Sequence, residues 1–554
     1  MTKAAEMAKV SAKGSFHIMW GLVASTVISA VGTIYLANLL SSEELGLYAL
    51  ATAAPALIGV FRDWGVSAAL IRYTAQYNSE NQFSRIRKIL VSGLVFEVTA
   101  GVILTAVSFL FSSLFGDLYQ IAAITPLIQV VSFTILINAF LTVAQSAFTG
   151  FERMELNSIT LILQSIVKAF LTPGLVILGL GVFGAVLGFT FALLTAGVTG
   201  TLLLWVLYRR IPASISRASL PSSTSPARKE NDFEIKVNSK MLLKYGLPLS
   251  IAAIISTFQT QFYTIMMGIY VTTSQVGNYS LAMTFLVLIS FFSTPITTIL
   301  FPAFSKLDPQ KDQEALKSVF QFSVKYAALL VVPVAAIVMA LSGPAISTLF
   351  GNKYTSAPLF LALLALGHAF TAFGSLTAGT LLNGQGKTGF NLKLSILSAA
   401  IGFPLSVLLT WQFGVIGIII TILTAGIPSL VVSLHWIKKH YNLTIDWASS
   451  AKILLCSALA GVAAFVFQLQ LAFSSWMSLL IGAAVFCAVL LPSILITQTI
   501  NKSDIENLRQ MTASIGVMSR LLSPVLNMAE KFLSMISKSG GEKTSSLPTD
   551  GVEP

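Results

Sequence analysis

Charge is what this sequence has least of. Of its 554 residues only 10% are Asp, Glu, Lys or Arg, against roughly a quarter in soluble globular domains. With 55% hydrophobic residues and a mean hydropathy of +0.82, the chain is excluded from the soluble-enzyme, secreted-disulfide and disordered classes. Cysteine is almost missing. Cys456 and Cys487 both lie in apolar stretches and read as small buried thiols, not as a disulfide or metal pair. Histidine is scarce too, and His17, His368, His435 and His440 have no metal-ligand spacing, so no metal site and no cofactor is expected. The run Asn383-Gly384-Gln385-Gly386-Lys387-Thr388 has the look of a phosphate loop. Position 381 is Leu, however, where the first Gly of that motif would stand, and no strand precedes it; the run reads as a turn. Nothing here could house a nucleotide-binding domain. The protein reads as not an enzyme, and any driving force must come from an ion gradient (H+ or Na+), the membrane potential or the substrate's own gradient.

What is abundant is apolar length. Runs long enough to cross a roughly 30 Å hydrocarbon layer recur from Gly14 to Ile496, and in lipid only a helix satisfies its own backbone polar groups. The expected fold is all-α and polytopic, with about fourteen transmembrane spans. Approximate limits are 15–40, 46–71, 89–114, 121–148, 156–180, 182–207, 245–270, 276–303, 320–348, 357–382, 390–411, 414–436, 450–470 and 475–496. The first span shows no cleavage site and is expected to be retained. Lys and Arg collect in short cytoplasmic loops. With the N-terminus inside, only Lys353 falls outside and only Arg62 and Lys168 fall deep in the membrane. Both termini are therefore expected on the cytoplasmic side of a cell membrane. Topology and contact with anionic lipid account for the net charge of +12, and no nucleic-acid partner is expected.

The chain also repeats itself. Leu114-Phe115-Gly116-Asp117-Leu118-Tyr119 returns as Leu349-Phe350-Gly351-Asn352-Lys353-Tyr354, and Gly46-Leu47-Tyr48-Ala49-Leu50-Ala51 returns as Gly277-Asn278-Tyr279-Ser280-Leu281-Ala282. Gly150, Arg153 and Asn157 match Gly384, Lys387 and Asn391, and Gly181-Val182-Phe183-Gly184 matches Gly414-Val415-Ile416-Gly417. These matches keep one order at offsets of 231 to 235, which indicates a duplicated six-span unit. An even number of spans per unit makes the repeats parallel. The expected organisation is a six-helix lobe over 1–208, a cytoplasmic linker over 209–240, a second six-helix lobe over 241–440, helices 13 and 14 over 441–500, and a tail over 501–554. Within the tail, 505–536 has the spacing of an amphipathic helix, lying on the membrane or on the protein itself, and the end from Ser539 reads as disordered.

Ionised groups at mid-depth are costly and mark candidate sites. At about 1.5 Å per residue, Arg62, Asp63 and Glu97 lie roughly 12 to 14 Å in from the cytoplasmic side, and Lys168 about 18 Å. Two readings stand. Either these charges form buried ion pairs that knit the helices together, with Arg62 and Asp63 facing different helices, or they line a hydrated wall that receives an anionic substrate. In the second half His368 is the deep ionisable candidate for proton coupling, or a neutral core histidine. Span seven carries Gln259 and Gln261 among hydroxyl residues, suited to sugar hydroxyls or to interhelical hydrogen bonds.

Asp63-Trp64-Gly65-Val66-Ser67-Ala68-Ala69-Leu70-Ile71-Arg72-Tyr73, with Ser41-Ser42-Glu43-Glu44-Leu45-Gly46-Leu47-Tyr48 before it and Phe301-Pro302-Ala303-Phe304-Ser305-Lys306-Leu307 in the second half, resembles polysaccharide transporters of the multidrug/oligosaccharidyl-lipid/polysaccharide exporter superfamily. These are the O-antigen-type flippases, and the resemblance covers about residues 10 to 500. It implies two six-helix bundles in a V, and spans thirteen and fourteen lie outside the duplication as an appended helix pair. It also implies passage of a lipid-linked oligosaccharide, on polyprenyl phosphate or pyrophosphate, from the cytoplasmic to the outer leaflet by alternating access. Cationic cavity residues would meet the phosphate, and Arg62, Lys168 and Arg72 are the positions that could do so. Many relatives carry an acidic residue ahead of the glycine matching Gly268. Here Gln259, Gln261 and Tyr263 occupy that region, which counts against ion coupling through that helix. The expected partners are the lipid-linked oligosaccharide, membrane lipids and glycan-assembly enzymes, with the transporter a monomer. A multidrug exporter of the same superfamily is the first rival, disfavoured by Arg62 and Lys168. A membrane glycan polymerase or ligase is the second, disfavoured by the short outer loops.

Overall fold

The computed structural model describes residues 3–210, 227–470 and 474–500, and among them no strand occurs. The helices are α1 (Lys3–Leu39), α2 (Ser42–Gly59), α3 (Val66–Ser79), α4 (Phe83–Leu110), α5 (Ser112–Tyr119), α6 (Thr125–Gly150), α7 (Met154–Leu175), α8 (Gly181–Arg210), α9 (Ala227–Tyr270) and α10 (Thr273–Ser305). They continue with α11 (Gln313–Ala340), α12 (Ser342–Phe350), α13 (Ala357–Leu366), α14 (Ser375–Gly384), α15 (Thr388–Phe413), α16 (Val415–Ala425), α17 (Ile427–Tyr441), α18 (Trp447–Gln470) and α19 (Ser475–Ile496). This is a multi-pass helical membrane protein. Ten helical stretches among the described residues are long and apolar enough to cross a bilayer, and eleven if the bent pair Ala357–Phe373 and Ser375–Gly384 is one span.

The ten stretches differ from the fourteen expected spans for local reasons. One runs over Met154–Arg210 for 57 residues, which would be about 86 Å as a straight helix. It turns back at Val176–Leu180, where Gly179 (φ +88°) and Gly181 (φ +51°) adopt angles that only glycine takes without strain. The expected span over 46–71 is not one helix but α2 and α3, separated by a break at 60–65. The expected span over 245–270 falls on α9, where Ser256, Thr257, Gln259, Thr260 and Gln261 lower the hydropathy. The phosphate-loop look-alike is the turn between α14 and α15, with Gly386 at φ +70°. The amphipathic stretch 505–536 and the tail lie outside the described residues. Of the linker 209–240, only 209–210 and 227–240 are described, and both are helical.

The chain divides into two compact units. The first comprises Met1–Phe291, Leu349–Leu364 and Leu382–Trp436. It is held together by small residues, because without water as the driving force transmembrane helices associate through close backbone approach. On α1, Gly32 lies against Ala169 of α7, and a methyl at Gly32 would come within 2.6 Å of the Ala169 Cα. Gly188 of α8 meets Thr172 of α7, Gly101 of α4 meets Ala139 of α6, and Ser108 and Ser132 share a 2.7 Å hydrogen bond across the α4–α6 seam. A capping box starts α2: the Glu44 amide donates to Ser41 Oγ (3.2 Å) and the Ser41 amide to Glu44 Oε2 (2.8 Å). The sequence repeat appears here in packing as well, since the starts of α2 and α10 cross at Gly46 and Gly277. The second unit comprises Phe292–Thr348, Ala365–Leu381 and Ile437–Pro554. In it α11, α18 and α19 pack around Ala340, Leu341, Ala460, Ala464 and Phe486. Gly461 lies against Ala336 and Gly482 against Leu341.

Candidate functional site

The break between α2 and α3 lies where the sequence put its deepest charges. The helical bonds of α2 end with Phe61 N to Ile58 O (3.2 Å) and Arg62 N to Gly59 O (3.1 Å). Trp64 then takes φ +43° and Gly65 φ +83°. A left-handed angle suits Gly65 but is a true outlier for a bulky residue such as Trp64, and such strain collects at functional positions. Asp63 restarts the chain: it accepts from the Ser67 amide (2.8 Å) and the Ser67 hydroxyl (2.6 Å), and its carbonyl accepts from the Val66 amide (2.8 Å). Its carboxylate therefore serves the N-terminus of α3, where negative charge is favoured. An interrupted helix at membrane depth is tolerated where its freed backbone groups find partners of this kind.

Arg62 turns the other way. It is 8% exposed and forms an ion pair with Glu97 of α4, which is fully buried, while its second terminal nitrogen donates to Thr142 Oγ1 of α6 (2.9 Å). Glu97 keeps a second oxygen, Oε1, without a hydrogen-bond partner among the described residues. Arg62 thus pairs with Glu97, whereas Asp63 bonds to Ser67 within the same expected span 46–71 and not to another helix of the bundle. Thr142 was not singled out in the sequence, because a threonine in an apolar run carries no signal until its neighbour across the seam is known.

Lys168 has no carboxylate partner among the described residues. On α7, half-buried, it makes no hydrogen bond or ion pair among the described residues, and its ammonium lies 5.6 Å from the centre of the Phe189 ring of α8. Phe189 in turn meets Tyr48 of α2 edge-on, with ring centres 6.3 Å apart. A cation held against an aromatic face at this depth keeps its charge available to an anion.

The remaining expected residues are spread out. Arg72 is exposed on α3, 5.6 Å from the Tyr73 ring. Gln259 donates to Tyr263 Oη (2.5 Å) within α9, and both press on Gly402 of α15, where a methyl group would overlap them. Gln261 is half-buried with no hydrogen bond among the described residues. His368, in the second unit, lies half-buried in the tight helical turn Gly367–Phe373, ahead of Gly374 (φ +76°) and the 54° bend into α14; it has no hydrogen bond among the described residues. No group of three or more potential metal ligands occurs among the described residues.

Phe61, beside Arg62, meets Trp64 (6.2 Å) and Phe258 of α9 (5.8 Å), and Phe258 and Phe262 meet Phe403 of α15 at 5.7 and 5.1 Å. Phe61 and Trp64 are each 37% exposed, although α2 packs against α4, α6, α8 and α9. Aromatic residues in apolar runs look alike in sequence, so only their convergence distinguishes these.

A family model described as polysaccharide biosynthesis protein matches residues 11–308. A probable low-salt glycan biosynthesis flippase, Agl15 of Haloferax volcanii, is 22% identical over 318 residues, or 57% of this chain and 66% of that protein, so the match spans just under two thirds of that relative. Lipopolysaccharide biosynthesis protein WzxC of Escherichia coli is 24% identical over 424 residues, covering 75% of this chain and 78% of WzxC. Among solved structures, the lipid II flippase MurJ in an inward closed conformation superposes with a TM-score of 0.67 at 15% identity, covering 87% of this chain and 98% of that one. At that identity the likeness is one of fold.

Proposed function

Because the chain belongs to the polysaccharide biosynthesis protein family, we propose that it is a flippase that moves a lipid-linked oligosaccharide, carried on polyprenyl phosphate or pyrophosphate, from the cytoplasmic to the outer leaflet by alternating access. No covalent bond changes in such a cycle. The reading takes fourteen crossings: the ten apolar stretches, a second crossing within Met154–Arg210, the bent pair, the broken α2–α3 and α9. It also takes cytoplasmic termini, which the distribution of Lys and Arg supports.

The observation that carries the proposal is Lys168. A half-buried ammonium without a counter-ion among the described residues is costly, and an arriving phosphate supplies the missing charge, worth on the order of 4 kcal/mol at 4 Å and an effective dielectric near 20. Arg62 is a second cation within the same unit, held in reserve by Glu97. The same unpaired Lys168 disfavours the rival reading as an exporter of cationic drugs, which would have to pass a fixed positive charge.

The test is reconstitution into proteoliposomes with a fluorescent lipid-linked oligosaccharide. Lys168→Ala is expected to slow translocation at least about tenfold, the loss of roughly 1.4 kcal/mol, with insertion and melting unchanged. Translocation by Lys168→Ala at the wild-type rate would show that the phosphate is met elsewhere. A wild-type protein that moves an organic cation and leaves the oligosaccharide in place would favour the drug-exporter reading.

A further inference from the structure

The break between α2 and α3 leaves backbone groups that neither helix serves. The Arg62 amide is the last to bond back into α2, and α3 begins by drawing on the Asp63 and Gly65 carbonyls. Between them the amides of Asp63, Trp64 and Gly65 donate to nothing among the described residues, and the carbonyls of Val60, Phe61, Arg62 and Trp64 accept nothing there. Backbone groups away from water are almost always paired, and hydrocarbon offers them no partner. Open donors and acceptors inside the span expected over 46–71 therefore need water, or a ligand that both gives and takes hydrogen bonds.

The same segment carries two rings and two charges. Phe61 and Trp64 are each 37% exposed, with ring centres 6.2 Å apart, and Phe258 of α9 backs Phe61 edge-on at 5.8 Å. The Trp64 indole N–H has no hydrogen bond among the described residues. Arg62 is engaged by Glu97 and Thr142, and Asp63 by Ser67. The break thus presents apolar faces rimmed by neutral hydrogen-bonding groups, with both charges already matched. Trp64 holds its place in that rim at φ +43°, an angle that glycine would take without strain.

We propose that the α2–α3 break is a sugar subsite, in which a neutral hexopyranose lies against Phe61 and Trp64. This rests on the transport reading above and adds where a sugar of the head group is held, apart from the phosphate. A pyranose has a face of C–H bonds and a rim of hydroxyls. An aromatic ring is negative over its face, so it attracts the slightly positive C–H hydrogens. Each hydroxyl both donates and accepts, which matches the open amides, the open carbonyls and the indole N–H. A uronate fits less well, because Arg62 is engaged and the Asp63 carboxylate would repel a second one.

The experiment uses the full chain in lipid nanodiscs and reads binding of the methyl glycosides of glucose, galactose and mannose by saturation-transfer NMR, with glucuronate as the charged reference. At least one neutral glycoside is expected to bind more tightly than glucuronate, with its C–H face receiving the most saturation. Trp64→Phe keeps a ring and removes the N–H, and should weaken that binding about fivefold, the effect of one hydrogen bond. Trp64→Gly should weaken it at least about tenfold and melt within a few degrees of wild type, since glycine relieves the left-handed angle. A protein that binds none of the neutral glycosides, binds glucuronate more tightly, or binds equally well as Trp64→Gly would overturn the subsite. If Trp64→Gly does not fold, Trp64→Phe decides. If the glycosides bind as expected but wild type moves no lipid-linked oligosaccharide in proteoliposomes, the subsite stands and the transport reading fails. If the oligosaccharide moves and no glycoside binds, the transport reading stands and the subsite fails.

Discussion

Arg62 and Lys168 look equivalent in the sequence, each a lone cation in an apolar span, but their neighbours assign them different work. Removing Arg62 leaves Glu97 charged, sealed and unpaired, which typically costs 3 to 5 kcal/mol, so Arg62→Ala should lower the melting temperature in detergent sharply. Arg62→Leu/Glu97→Leu should recover most of that loss, since a matched apolar pair leaves no charge behind. Lys168→Ala strands no partner and should melt within about 1 kcal/mol of wild type. Failure of the double variant to recover would mean that the pair does more than neutralise itself. A separate pH effect belongs to Asp446, ahead of α18. The Ser449 hydroxyl (2.5 Å) and amide (3.2 Å) donate to its carboxylate and hold its pKa below the ordinary value, against a smaller opposing effect of burial. A depressed folded pKa means that the contribution is complete above the unfolded value, near 3.9, and is lost as pH falls through the folded one. The melting difference between wild type and Asp446→Asn should therefore be constant from neutral pH to about 5 and shrink below about 4; a difference that does not begin to shrink as pH falls below about 4 would rule out this cap as its source.

At the scale of helices, interruptions and seams matter more than the apolar runs themselves. The α2–α3 break was legible in part. Asp63 followed by Gly65 is a helix restart with a glycine ahead of it, yet hydropathy over 46–71 is continuous enough to suggest one span. Gly65→Ala would place a Cβ at φ +83° and should destabilise by about 1 to 2 kcal/mol. Gly32→Val should do more damage, because the added side chain meets Ala169 on the broad α1–α7 seam. Size-exclusion profiles of the detergent-solubilised variants would separate the two, with Gly65→Ala folded but less heat-stable and Gly32→Val largely aggregated. A normal profile for Gly32→Val would mean that α1 can shift along α7.

For the molecule as a whole, the transport reading places demands on both kinds of cation. A phosphate that reaches Arg62 must compete with Glu97, whereas one that reaches Lys168 competes with nothing but water. Excess polyprenyl phosphate lacking a glycan should therefore inhibit translocation in wild type, and inhibition should weaken at least about tenfold in Lys168→Ala; undiminished inhibition would point to another phosphate contact. The length of the apolar runs determined that this chain lives in a membrane as helices, since a run of about 20 apolar residues is twice what a barrel strand needs and satisfies its backbone within itself as a helix. The ordered repeats at 231 to 235 residues disclosed the duplication, and the deep ionisable residues could be nominated because their depth follows from helical rise. Their partners could not. Glu97 faces Arg62, Thr142 completes the pair, Phe189 stands where Lys168 has no acid among the described residues, and Gly46 meets Gly277 across 231 positions. Each of these is a contact between distant segments, set by which helix faces which, and hydropathy carries no information about helix rotation in an environment where every face is apolar.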